Sequence, residues 1–292
     1  MAGVPPTYIF NKNFRDHDLI NCLFYPMIKI KSQKEIEIMR QGGKILGSVL
    51  FAVAKEVKPG VTTEDLNNLA ERLIYEQGAL PAFKGFQGYP ASLCTSVNEE
   101  IVHALPSARA LKEGDIIGLD LGVLWPPEKC GSCFYNQGCD GQAGLYTDAA
   151  LTVPVGTVSP QAVKIIEVAR GALNAAIEEV RPGRKLSEIS VAIQKYVEKE
   201  SFSVIRELVG HGIGCELHEP PEIPNFAHSG FQDALLQEGM ALAIEPMISA
   251  GSHKIKKSKD KFGFETDDKS LTAHFEHTVI VTKEGGEVLT KV

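Results

Sequence analysis

The chain has 292 residues, 43% hydrophobic and 23% charged; this fills a sizeable core and excludes a disordered chain, a collagen and a disulfide mini-protein. Thirty basic against thirty-seven acidic residues leave a net charge of −7, which argues against nucleic-acid binding as the main task. No stretch approaches the roughly 20 apolar residues that span a bilayer, the N-terminus lacks the features of a signal peptide, and six cysteines are too few for a disulfide scaffold, so the expectation is a soluble, cytoplasmic, globular protein.

Taken in order, Gln33 to Lys55 carries Ile36, Ile38, Met39, Ile45, Leu46 and Leu50 at helical spacing, and Pro59-Gly60 follows as a stop. His103 lies in Asn98–Pro106. Leu111-Lys-Glu-Gly-Asp-Ile-Ile-Gly-Leu-Asp120 reads as a turn and then a buried strand ending in a carboxylate. Twenty-seven residues separate Asp120 from Asp148, and turn-formers dominate them, so residues of about 125–144 read as a loop at a hairpin tip. That loop holds Cys130, Cys133 and Cys139. The Cys130-Gly-Ser-Cys133 spacing suits a structural zinc, with Cys139 as third ligand and Cys22, a histidine or Asp140 as fourth. An unliganded loop is nevertheless the leading reading, with the zinc knuckle second and a disulfide last. Asp148 opens an apolar, β-branched strand. A second helix is expected over 161–178, and residues 208–222 then place His211 between glycines and His218 beside Glu219 and two prolines. Leu236 to Glu245 and His274 to Val281 read as two further strands.

The chain repeats itself. Glu56-Val-Lys-Pro-Gly60 returns as Glu179-Val-Arg-Pro-Gly183, Leu111–Asp120 as Leu236–Glu245, and Tyr146-Thr-Asp148 as His274-Phe-Glu276. The order is the same and the offsets are nearly equal, which makes a duplicated α/β unit the best reading. Each half then supplies two carboxylates, Asp120 and Asp148 in the first, Glu245 and Glu276 in the second. Each acid alone reads as a strand end facing water. Four at duplicated positions would converge and repel, and divalent cations are the ordinary remedy.

Asp120, Asp148, Gly210-His211-Gly-Ile-Gly214, Ala243-Ile-Glu245-Pro-Met247 and Phe275-Glu276-His-Thr-Val279 together resemble the type I methionine aminopeptidases, from about Met27 to the C-terminus. The resemblance implies an α/β (α+β) pita-bread fold, a duplicated pseudo-two-fold unit with helices packed on a curved antiparallel sheet. It implies one catalytic domain over 27–292, built of halves at about 31–155 and 156–285. Residues 1–26 become an extension: a flexible tail, a docking segment, or the product of an upstream start with Met27 as the true initiator. The implied metal ligands are Asp120, Asp148, His211, Glu245 and Glu276, holding two divalent ions (Co, Mn, Fe or Zn) that activate a water. Glu245 would also accept the proton of that water, His218 would stabilise the oxyanion, and His103 would bind the substrate amide. Phe83, Phe86, Tyr89 and Cys94 match the methionine pocket, where sulfur–aromatic contacts are favourable. Leu217 and either Phe262 or Phe264 stand where that pocket commonly has aromatics. The implied activity is removal of the initiator methionine from nascent chains with a small second residue. The implied setting is a cytoplasmic monomer, at or near the ribosome. An Xaa-Pro peptidase of the same fold and a non-catalytic binding relative are the alternatives.

Overall fold

The computed structural model describes residues 28–128, 144–228 and 233–291. The expectations for residues 1–26, for Met27 as a start, and for zinc at Cys130, Cys133 and Cys139 lie outside these residues. Among the described residues four α-helices form: α1 (Gln33–Lys55), α2 (Thr63–Glu76), α3 (Pro160–Glu178) and α4 (Leu186–Lys199). Their starts are set by short polar caps. Ser32 and Glu35 close a capping box on α1, Thr62 and Asp65 close one on α2, and Ser159 followed by Pro160 opens α3.

The first half contributes strands β1 (Leu80–Pro81), β2 (Leu93–Val97), β3 (Glu100–Val102), β4 (Ile116–Trp125) and β5 (Leu145–Pro154). The second contributes β6 (Ser203–Val204), β7 (Val209–Gly212), β8 (Glu219–Pro224), β9 (Ala241–Ile244) and β10 (Met247–Ser249). It continues with β11 (Ile255–Lys257), β12 (Phe264–Thr266), β13 (Thr272–His274), β14 (Glu276–Thr282) and β15 (Gly285–Val288). Nine of these make one sheet in the order β1-β4-β5-β14-β9-β7-β8, with β2 on β4 and β15 on β14. Every pairing is antiparallel, and two small sheets (β13-β10-β6 and β11-β12-β3) lie beside it.

The duplication is visible in single hydrogen bonds. Gly60 N donates to Leu111 O at 2.8 Å, and Gly183 N donates to Leu236 O at 2.8 Å. Isolated bridges Thr62↔Ala110 and Lys185↔Leu235 occupy the same places in the two halves. Gly60 and Gly183 both stand at positive φ, 92° and 82°, a conformation glycine adopts without steric cost.

Strand alternation decides which face carries chemistry. On β4, Ile117, Leu119, Leu121 and Val123 join the core formed with Leu46, Leu50 and Val53 of α1 and Leu66 of α2, which turns Asp120 to the other face. On β5, Ala149 and Val153 do the same and turn Asp148 with Asp120. A second core, with Ala169 and Leu173 of α3 and Ile189 and Ile193 of α4, receives Ile244 and Val279. The halves meet where β5 pairs β14, at Glu276↔Ala150 and His277↔Ala149. Threonine hydroxyls cross-link this seam: Thr278 Oγ1 accepts from Asp148 N and donates to Asp148 O, at 2.9 and 2.8 Å. Thr152 Oγ1 does the same with the main chain of His274, both at 2.9 Å. Among the described residues no helix is long and apolar enough to cross a membrane.

Candidate metal centre

Asp120, Asp148, His211, Glu245 and Glu276 come from β4, β5, β7, the residue after β9 and the first residue of β14. The expectation that the first-half acids sit at strand termini needs correction. β4 runs on past Asp120 to Trp125, and β5 begins before Asp148 at Leu145, because the two strands pair continuously from Ile116↔Pro154 to Trp125↔Leu145. A row of register partners (Cys94, Asp120, Ala150, Glu276) crosses the sheet from β2 to β14 and aligns two of the acids.

Ligand atoms of Asp148, His211 and Glu276 all lie within 4.8 Å of one another. Glu245 closes the group, with Oε1 3.6 Å from His211 Nε2. All four of Asp120, Asp148, His211 and Glu276 are buried. His211 Nδ1 bonds Gly212 O at 2.9 Å, which fixes the proton on Nδ1 and presents Nε2 to the acids. Gly210 and Gly212 make this possible. A Cβ on Gly210 would stand 2.5 Å from Ala243 O, and one on Gly212 would stand 2.1 Å from Pro220 O. Only glycine therefore lets β7 lie so close to its neighbours.

Without a cation this cluster is electrostatically costly. Asp120 Oδ1, Asp148 Oδ1 and Glu276 Oε1 are buried acceptors without a hydrogen-bond partner. Burial, with Glu245 adding repulsion, pushes the Asp120 carboxyl up to about 7, although His274 opposes the shift. Burial pushes Glu245 up to about 7 against the pull of His211. Asp148 and Glu276 are driven well above the carboxylate range, by burial first and then by the other acids. Burial also keeps His211 neutral. Orphaned carboxylate oxygens beside a neutral imidazole are the donor set of a borderline or hard divalent ion, so these residues fit the expected metal.

A cavity of about 500 Å³ opens onto the acids. Phe83, Phe86, Tyr89 and Cys94 line it, as do His103 and His218, so all six residues expected to meet substrate share one space. Leu217 and Phe262 line it too. Phe264 instead sets its ring edge-on to His103, with centroids 6.2 Å apart. Tyr89 donates its hydroxyl to Ala104 O at 3.0 Å, one residue beyond His103. His103 itself sits at φ 60°, a strained conformation for a side chain other than glycine. Burial, then repulsion from His274, lowers the His103 imidazole to about 4. The His218 ring lies 4.2 Å from that of His211, tilted 60° to it, and edge-on to Phe86 at 5.2 Å, and burial holds it neutral. A larger groove of about 750 Å³, lined by Arg40, Arg181, Lys283 and Glu287, contains none of these residues.

Sequence reasoning missed two features. Glu219, next to His218, forms a buried ion pair with Lys31, and Lys29 approaches it at 3.6 Å. No local pattern announces a pair 188 positions apart. His274 lies 3.4 Å from Glu245 Oε2. Its signal was available: it stands two residues before Glu276, at the place Tyr146 holds in the first half.

Residues 37–283 match the model of metallopeptidase family M24. The chain belongs to metallopeptidase family M24. It is 43% identical to methionine aminopeptidase 1 of Bacillus subtilis, over 91% of this chain and 100% of that one. Its structure superposes on that of methionine aminopeptidase from Thermotoga maritima with a TM-score of 0.82 at 41% identity, covering 91% of this chain and 100% of the other. The fold expected from the resemblance is therefore present. The Xaa-Pro dipeptidase of Bacillus anthracis shares the fold alone: TM-score 0.66, 21% identity, 90% of this chain and 62% of that one. The likeness in sequence and length thus favours the methionine aminopeptidases over the Xaa-Pro peptidases. This M24 chain is a metallopeptidase and uses divalent metal.

Proposed function

We propose that this M24 chain removes the N-terminal methionine from nascent polypeptides whose second residue is small. One observation carries the reading: three unpartnered buried carboxylate oxygens lie at the end of a cavity walled by aromatics and a thiol. The wall suits a flexible thioether, and the acids suit a cation and a free α-amine.

Asp120, Asp148, His211, Glu245 and Glu276 would hold the ions. Two are proposed, since four carboxylates carry four negative charges, and Co, Mn, Fe and Zn all suit the donors. Bound there, they lower the pKa of water towards neutrality and polarise the scissile carbonyl. The remaining work falls to the chain's own groups. Glu245 accepts the proton of the attacking water at a carboxylate oxygen. His218, kept neutral, donates a hydrogen bond to the developing oxyanion. His103 holds the substrate amide and helps protonate the leaving amine. Phe83, Phe86, Tyr89 and Cys94 grip the methionine side chain. Both halves supply ligands, so residues 27–292 would act as one catalytic domain, working as a monomer in the cytoplasm beside the ribosome.

Incubating the metal-loaded protein with Met-Ala-Ser and with Ala-Pro peptides tests this. Release of methionine is expected; exclusive cleavage of the proline peptide would refute the assignment.

A further inference from the structure

Glu245 stands between two imidazoles. Oε1 faces His211 Nε2 at 3.6 Å, and Oε2 faces His274 Nε2 at 3.4 Å. His211 has its place in the centre described above, whereas nothing so far uses His274. Its burial is nearly complete, with 3% of the residue exposed. The backbone that carries it is held from two sides. Thr152 of β5 bonds both its N–H and its carbonyl at 2.9 Å. On the other side β13 pairs β10, with His274 opposite Met247, two residues beyond Glu245. The ring is thus delivered from a rigid strand tied both to the strand of Asp148 and to the segment of Glu245.

A buried imidazole needs partners for its ring nitrogens. Here Nε2 turns to a carboxylate that has an imidazole on its other oxygen as well. Lone pairs facing each other at this distance would repel, so the proton of the neutral ring belongs on Nε2, where it can donate to the acid. At 3.4 Å the two atoms are close without forming a hydrogen bond, and Nε2 is a buried nitrogen with no other partner among the described residues; catalytic hydrogen bonds of this kind tighten when reactants are in place.

We infer that His274 is a positioning residue for Glu245: its Nε2–H holds Oε2, so that Oε1 is turned to His211 and the ligand cluster. The inference rests on the reading of Glu245 as metal ligand and proton acceptor. A carboxylate with both tasks must keep its two oxygens distinct, and a donor on one of them does this. An outer partner of this type is worth about 10–100-fold in metal affinity or activity.

The test compares His274→Ala and His274→Gln, each alone and combined with Glu245→Gln, in the full chain. Cobalt(II) dissociation constants come from calorimetry, the visible spectrum of the cobalt form reports the ligand set, and kcat and KM are read on Met-Ala-Ser. His274→Ala is expected to weaken cobalt binding or lower kcat at least about 10-fold, with KM nearly unchanged. His274→Gln keeps an N–H donor and should recover most of the loss. On top of Glu245→Gln, His274→Ala should add little to the loss of cobalt affinity. Equal losses in both backgrounds, or a glutamine variant as impaired as the alanine one, would show a merely structural role. A cobalt spectrum that loses a nitrogen ligand in His274→Ala would make it a direct ligand and overturn the positioning role. Should the wild type release no methionine, the functional proposal fails, while the cobalt titrations still decide the part played by His274.

Discussion

The two halves share a plan and differ in how they offer their acids. Asp120 and Asp148 are short side chains inside a continuous ten-pair ladder, β4 against β5. Glu245 and Glu276 are longer and sit at strand breaks, one between β9 and β10, the other at the first residue of β14. The sole nitrogen among the five proposed ligands, His211, also comes from the second half, as do His218 and His274. The first half is therefore a rigid template, and the second brings adjustable reach and all but one of the imidazoles around the acids. A short arm on a stiff ladder and a long arm at a break reach the same point.

This contrast can be broken most severely by neutralising one acid from each side. If the halves share a single centre, Asp148→Asn and Glu276→Gln should each lower kcat/KM by about 10⁴-fold, with metal content falling in parallel. Activity that survives either change would show that the centre lies elsewhere. The next largest effect concerns how the loop from His211 to His218 is held. Lys31 and Glu219 have side chains 1% and 3% exposed, so Lys31→Met should leave Glu219 only the more distant, partly exposed Lys29 as counter-charge and cost about 3 kcal/mol in urea unfolding. Pairing Lys31→Met with Glu219→Gln should recover part of that loss. A smaller effect separates the stiff arm from the adjustable one. Asp120→Glu overshoots on a fixed ladder and should cost about 10²-fold in kcat, as misplacement by ~1 Å does. Glu245→Asp should cost less, because it shortens an arm at a strand break instead of driving a longer one into the cluster; the reverse order would overturn the contrast.

The smallest effect is a pH dependence of stability in metal-stripped protein. Asp120 and Glu245 keep their protons in the fold up to about 7 but lose them near 4 when unfolded. Between those values the native state binds more protons than the unfolded one, so stability falls as pH rises. His103 and His277 act oppositely. Burial lowers both to about 4, so they add stability as pH rises, but only until the unfolded imidazole has titrated near 6.5. Asp148 and Glu276 are also raised by burial and by the other acids and act in the same direction as Asp120 and Glu245, so above about pH 6.5 the acids alone remain. Thermal midpoints of the stripped protein should decline above that pH, and added cobalt or manganese should abolish the decline.

Much of this is legible in the sequence alone. The helix expected over 33–55 is α1, and the repeated Pro-Gly turns became paired hydrogen bonds at Gly60 and Gly183. The acids stood out because buried carboxylates at repeated positions have few physical excuses. What was not legible depends on partners distant in sequence. The full length of β4 and β5 follows from their mutual register, which no single strand encodes. Lys31 reads as one more surface lysine until the fold brings Glu219 to it. Phe262 and Phe264 differ by two positions in a hairpin, and only the pairing of Phe264 with Val102 on β3 separates them. His274 was passed over because its first-half counterpart, Tyr146, bears no imidazole.

The seam between β5 and β14 carries a further meaning. It is two register pairs long, buttoned by the hydroxyls of Thr278 and Thr152, and the acids of both halves flank it. An ion held there would be a rivet between the two lobes as well as a reagent. Loss of the ion would then end catalysis and loosen this seam together, while the pairing of β3 with β12 still ties the lobes.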